Sequence, residues 1–105
     1  MNIPEWSASA LEAALADPGR RVYVVDVRTP GEFAQGSVPG AHPMPLDEID
    51  ARHGEIPADA QVVCVCPDGE RSAVAVVLLA ELGRPGAVVL AGGLDAMGIA
   101  TDEDG

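Results

Sequence analysis

The sequence predicts an α/β domain: a central parallel β-sheet flanked by helices on both faces. Two observations carry this. Short runs that are apolar all round, such as Val22-Tyr23-Val24-Val25, Val62-Val63-Cys64-Val65 and Val88-Val89-Leu90, recur along the chain. Between them lie segments with helix caps and helix stops. Strands apolar on both faces belong to parallel sheets covered on both sides. With one Trp, one Tyr and one Phe against 48% hydrophobic residues, the core must be built from Val, Leu, Ala and Ile.

Taken in order, the elements are as follows. Ser7 or Ser9 caps a first helix running to about Ala16, Ser9 and Glu12 having the spacing of a capping box, and Asp17-Pro18-Gly19 ends it. Arg21 to Asp26 is a buried strand. A short helix covers Pro30 to Ala34, with proline in its first turn. Gly36 to Gly40 is a loop, and Leu46 to Arg52 another short helix. His42, in a proline-rich stretch, reads as a surface or loop residue. Gln61 to Val65 is the central strand and Ser72 to Leu82 a helix that Gly83 terminates. That helix offers water only Glu81, so it should be largely buried. Ala87 to Leu90 is the last strand, followed by Gly92-Gly93 and a short C-terminal helix. The domain is assigned to residues 1–100, and the acidic segment 101–105 to a disordered tail.

Composition excludes several functions. All six basic residues are arginines, so neither a Schiff base nor a phosphate-loop lysine is available. A net charge of −11 argues against nucleic acid and anionic membranes as partners. The longest apolar stretch, Ala73 to Ala80, is too short to cross a bilayer. The N-terminus shows no basic residues ahead of an apolar segment, so no signal peptide is expected. Two cysteines one residue apart make no disulfide framework, so a reducing, cytoplasmic home is expected, and the net charge favours a monomer. His42 and His53 have no ligand spacing with each other or with the cysteines, which argues against a metal. No cofactor is called for. Gly92-Gly93 lacks the third glycine of a dinucleotide fingerprint.

The chemistry concentrates in Cys66-Pro67-Asp68-Gly69-Glu70-Arg71-Ser72. Cys64 lies within the apolar run and reads as a buried small hydrophobe. Cys66 differs, because Pro67 ends the strand directly after it. A cysteine between a strand's C-terminal end and a helix N-terminus has its thiolate favoured by unpaired N–H groups and the helix dipole. Ligands bind at that edge in open α/β sheets. Adjacent cysteines would form only a strained disulfide, so a redox pair is disfavoured.

Four segments in order resemble the single-domain rhodaneses, a family of sulfurtransferases. Val25-Asp26-Val27-Arg28 with Pro30-Gly31-Glu32-Phe33 is similar to the family's first signature. Gly36-Ser37-Val38-Pro39-Gly40-Ala41 resembles its glycine-histidine-isoleucine-proline-glycine-alanine stretch. Cys66 to Ser72 resembles the active-site loop, and Leu90 to Leu94 the closing glycine pair. The resemblance implies two-step sulfur transfer. Cys66 takes the outer sulfur of a small donor anion or of a protein or low-molecular-weight persulfide, and hands it to a thiol or cyanide.

By the same resemblance Asp68, Gly69, Glu70, Arg71 and Ser72 form the substrate-binding loop, its N–H groups holding the persulfide. Gly69 permits the tight backbone path. Arg71 either contacts the bound anion or ties the loop by bonding its carbonyls. Cysteine-dependent phosphatases of related fold carry one residue more between cysteine and arginine, which favours a sulfur-sized pocket here. Asp26 and Arg28 either line the rim or form a buried salt link.

The loop departs from the family in its acids. Asp68 and Glu70 oppose a thiolate electrostatically, and solvent shrinks that opposition. The expectation is a nucleophile that handles dianionic thiosulfate poorly. Ser37 stands where the family often has histidine and Met97 where it often has an aromatic residue, both in regions read as structural. The alternative is a non-catalytic binding or regulatory module on the same fold. Retention of Cys66, Gly69, Arg71 and Ser72 together favours the enzyme.

Overall fold

The computed structural model describes residues 2–99. The segment 101–105, read above as a disordered tail, lies outside the described residues. Five parallel strands form one sheet in the order β1-β5-β4-β2-β3, with β1 Glu5–Trp6, β2 Val22–Asp26, β3 His42–Pro43, β4 Gln61–Val65 and β5 Val88–Leu90. The central pairing sets Val25 against Cys64 and Asp26 against Val65, so β2 and β4 end together at one edge.

The two faces are sorted by the period of two along β4. Val62, Cys64 and Cys66 join one buried cluster with Ile49 and the α4 residues Ala75, Val76 and Leu79, α4 being Glu70–Glu81. Val63 and Val65 join the other, with Leu11 of α1 (Ala8–Ala16) and Leu94 of α5 (Gly93–Ala96). The sheet is therefore covered on both faces, as its apolar strands require.

Local chemistry accounts for the helix starts. Ser7 caps α1 by accepting from the Ala10 N–H, and Ser9 lies inside the helix, so the Ser9–Glu12 box does not form. α2 (Pro30–Ala34) opens with a full capping box between Thr29 and Glu32. The predicted helix over 46–52 is a 3-10 turn, Leu46–Glu48, leading into α3, Ile49–Arg52.

Four expectations need correction. α4 begins at Glu70, two residues before the predicted start, because Gly69 takes the left-handed conformation (φ +95°) that opens it. α4 is also covered on one side only. Val74 is 55% exposed, since an outer-layer helix packs one face on the sheet and turns the other outward. The edge strands β1 and β3, two residues each, were not predicted. They add to a sheet already begun, Val89 N–H donating to the Pro4 carbonyl and Met44 N–H to that of Asp26. His42, exposed as expected, lies in β3 rather than a loop and stacks its ring on Tyr23.

Asp26 and Arg28 resolve as a buried salt link. The Arg28 guanidinium donates to both Asp26 oxygens (2.8–3.2 Å) and to the Gly36 carbonyl (2.6 Å). Ser37 completes the set, its hydroxyl donating to Asp26 Oδ2 at 2.6 Å. A serine thus does structural work where the family often has histidine. Removing one member strands a buried charge. Asp26→Ala is expected to lower unfolding free energy by about 3–5 kcal/mol. The double Asp26→Ala/Arg28→Ala variant should lose less than the sum of the two single changes, read from denaturant midpoints.

Candidate active site

Cys66 sits directly after β4, where the carboxyl ends of β2, β4 and β5 converge. Its sulfur is held by the backbone that follows. The Gly69 N–H donates to Sγ at 3.1 Å and the Ser72 N–H at 3.3 Å. These are the first amides of α4, where N–H groups lack helical partners and the dipole is positive. An anion on this sulfur, or on one attached to it, meets hydrogen-bond donors already in place.

The loop keeps this shape because its outer side is also bonded. The Cys66 and Pro67 carbonyls accept from the Leu94 and Asp95 N–H groups (2.9 and 3.1 Å) at the start of α5. Gly93 lies against both carbonyls at φ +66°, and a Cβ there would collide with the Cys66 and Pro67 oxygens. Gly93 is therefore part of the site. The sequence shows it as one of a glycine pair, but nothing in it identifies what the second glycine touches.

Of the five predicted loop residues, Asp68, Gly69 and Ser72 contact Cys66 Sγ. Gly69 and Ser72 supply amides. The Ser72 hydroxyl is buried, with no hydrogen-bond partner among the described residues. Asp68 Oδ1 accepts from the Glu70 N–H (3.0 Å) and lies 3.9 Å from Sγ, in line for a weak S–H donation. The Glu70 side chain is exposed. Arg71 reaches Glu32, its two terminal nitrogens donating to the two carboxylate oxygens at 2.8 Å each. Glu32 is 5% exposed and also caps α2, so this pair joins the loop to the region after β2.

Cys64 and Cys66 share one face of the sheet, and both are free thiols. Burial pushes the Cys64 thiol up to about 12, with the charge of Cys66 as a smaller cause. Cys64 is core, as its place in the apolar run implies. A groove of about 610 Å³ lies elsewhere, between His53 and the 83–87 turn.

Comparison with known proteins accords with this geometry. The family model of the rhodanese-like domain matches residues 7–99. The chain belongs to the rhodanese-like domain family. Among curated rhodanese-like relatives is a protein named sulfurtransferase from Allochromatium vinosum, 39% identical over 90% of this chain and 87% of that protein. A rhodanese-like domain protein from Staphylococcus aureus superposes with a TM-score of 0.81 at 32% identity, covering 90% of each chain. The human single-domain sulfurtransferase TSTD1 gives 0.79 at 29% identity, covering 91% of this chain and 96% of that one. The resemblance read from four short motifs thus extends over the rhodanese fold as a whole.

Two outcomes follow. Gly69→Ala meets only ordinary contact, 3.7 Å from Val89 Cγ1, so it should cost about 1–2 kcal/mol of left-handed strain and little else. Gly93→Ala adds a collision with the loop carbonyls and should lose stability further, detected as a lower thermal midpoint than Gly69→Ala. The unfolded chain releases the Cys64 proton near the ordinary 9.0, while the native core holds it to about 12. Stability should therefore be intact below pH 9.0 and fall as pH rises from there toward 12. Denaturant titrations of Cys64→Ala across that window should show a shallower decline.

Proposed function

We propose that this rhodanese-like chain moves a sulfane sulfur from thiosulfate or a persulfide donor to a thiol or cyanide acceptor through a persulfide on Cys66. The observation that carries this is the pair of amides on Cys66 Sγ at the end of β4. It is the only cysteine sulfur among the described residues with such donors. The sulfurtransferase named among its relatives supports the same chemistry.

In the first half-reaction the Cys66 thiolate attacks the donor's outer sulfur. The new Sγ–S bond forms as the donor's bond to that sulfur breaks, and sulfite or a thiolate leaves with the electron pair. In the second, the acceptor attacks the terminal sulfur and Cys66 returns as thiolate. No net oxidation occurs. Gly69 and Ser72 hold the sulfur anion through their N–H groups, and the unpaired Ser72 hydroxyl is a third donor available to the added atom. Cys66 has no solvent-exposed surface, so donor entry requires the 67–70 loop to give way. Arg71, paired with Glu32, serves by tying the loop down. Two free cysteines suit a reducing compartment such as the cytoplasm.

Intact mass tests this directly. The reduced protein incubated with thiosulfate, and separately with a persulfide donor, should gain one sulfur atom that cyanide removes. Cys66→Ser should gain none. No gain from either donor would leave the chain a non-catalytic module on the rhodanese fold.

A further inference from the structure

The amides at Cys66 accept an anion, yet the side chains around them are arranged against one. Arg71 is the only cation between Cys66 and Ser72. Both of its terminal nitrogens are committed to Glu32, at 2.8 Å to each oxygen. A bidentate guanidinium–carboxylate pair has internal geometry near ideal and little net charge to offer a third group. The positive charge that would clamp a sulfonate is thereby cancelled from the α2 side.

What stands over the sulfur is negative. Asp68 Oδ1 is 3.9 Å from Sγ, and the Glu70 N–H fixes it there by donating at 3.0 Å. Asp68 and Glu70 are exposed, while Cys66 itself shows no surface. A donor approaching Cys66 from solvent therefore meets the Asp68 carboxylate before the thiol.

The geometry points to a site that selects its donor by charge: Cys66 takes sulfur from persulfides on uncharged or cationic carriers and discriminates against anionic donors, thiosulfate included. This rests on the sulfur-transfer reading above. For a persulfide R–S–SH, the Cys66 thiolate attacks the outer sulfur. The Sγ–S bond forms as the donor's S–S bond breaks, R–S⁻ departs with the electron pair, and the transferred sulfur keeps its proton. Both reactants together carry one negative charge when the carrier is uncharged. Thiosulfate brings two more and releases sulfite as a dianion, so the same step gathers three negative charges beside Asp68 and Glu70.

The test compares carriers alike in size and opposite in charge. Loading of Cys66 is followed by intact mass at low ionic strength with cysteamine persulfide, 3-mercaptopropionate persulfide and thiosulfate, in wild type, D68N and E32Q. Asp68 is exposed, so D68N should fold, and E32Q keeps a side chain able to bond Thr29 while restoring the charge of Arg71. In wild type the cationic persulfide should load faster than the anionic one. D68N should narrow that ratio by about tenfold, chiefly by accelerating the two anionic donors, as loss of one close charge implies. E32Q should act in the same direction, and added salt should narrow the wild-type ratio. Ratios unchanged by D68N, or an anionic persulfide loading wild type as fast as the cationic one, would overturn the selection while leaving sulfur transfer intact. No loading of wild type by any donor would overturn both.

Discussion

The hydrogen bonds from the start of α5 to the Cys66 and Pro67 carbonyls are the constraint on which the site depends. A chain leaving a parallel strand must turn at once to begin the next helix, and its carbonyls need partners as it does so. Here Leu94 and Asp95 supply them from outside the turn, with Gly93 letting the two backbones touch. With the carbonyls held outward, the N–H groups of Gly69 and Ser72 are left to converge on the sulfur. The cradle is thus made jointly by two helix N-termini, one donating to the sulfur and the other fixing the loop that surrounds it.

Charge is layered around this backbone frame. The Asp26–Arg28 pair is sealed in the interior at the end of β2 and, with half-buried Ser37, holds the segment after that strand to the sheet. The Glu32–Arg71 pair is half-buried and ties that same segment to the active-site loop. Asp68 and Glu70 are outermost, facing solvent. Each layer couples more weakly to the fold, because charges are screened as they become exposed, and lies nearer to whatever approaches from outside. Cys64 and Cys66 are both buried on one face of the sheet yet differ in their partners. Burial leaves Cys64 a protonated core residue, and two amides surround the sulfur of Cys66.

Much of this was legible in the chain. Strand runs apolar on both faces can be buried only in a sheet covered twice, so the strands expected at Arg21–Asp26, Gln61–Val65 and Ala87–Leu90 follow from local pattern, and the observed ones, Val22–Asp26, Gln61–Val65 and Val88–Leu90, differ only by a first residue. Pro67 after Cys66 marked where the strand had to stop, and the loop motif singled out the cysteine. The two-residue edge strands left no such trace, because their pairing depends on neighbours far along the chain. α4 is less buried than its apolar content implies for a related reason. Apolar content says what a helix tolerates, whereas the layer it occupies decides how many of its faces are covered, and Val74 faces outward.

By itself, then, the sequence determined the three longer strands, the helices between them, the family and the place of Cys66 at a strand end, since each follows from local periodicity or from contiguous residues. Only the tertiary structure decided which partner Arg71 takes and whether Asp26 and Arg28 face the rim or the interior. Arg71 could have faced a bound anion, but Glu32 lies 39 residues away in the chain and 2.8 Å away in space. Asp26 and Arg28 could have lined the rim, but the Gly36 carbonyl and Ser37 hydroxyl close over them. Gly93 gained its role from contact with Cys66 and Pro67. Such long-range pairings depend on how the elements pack, and electrostatic partners at a few ångströms are settled by that packing and by nothing shorter in range along the chain.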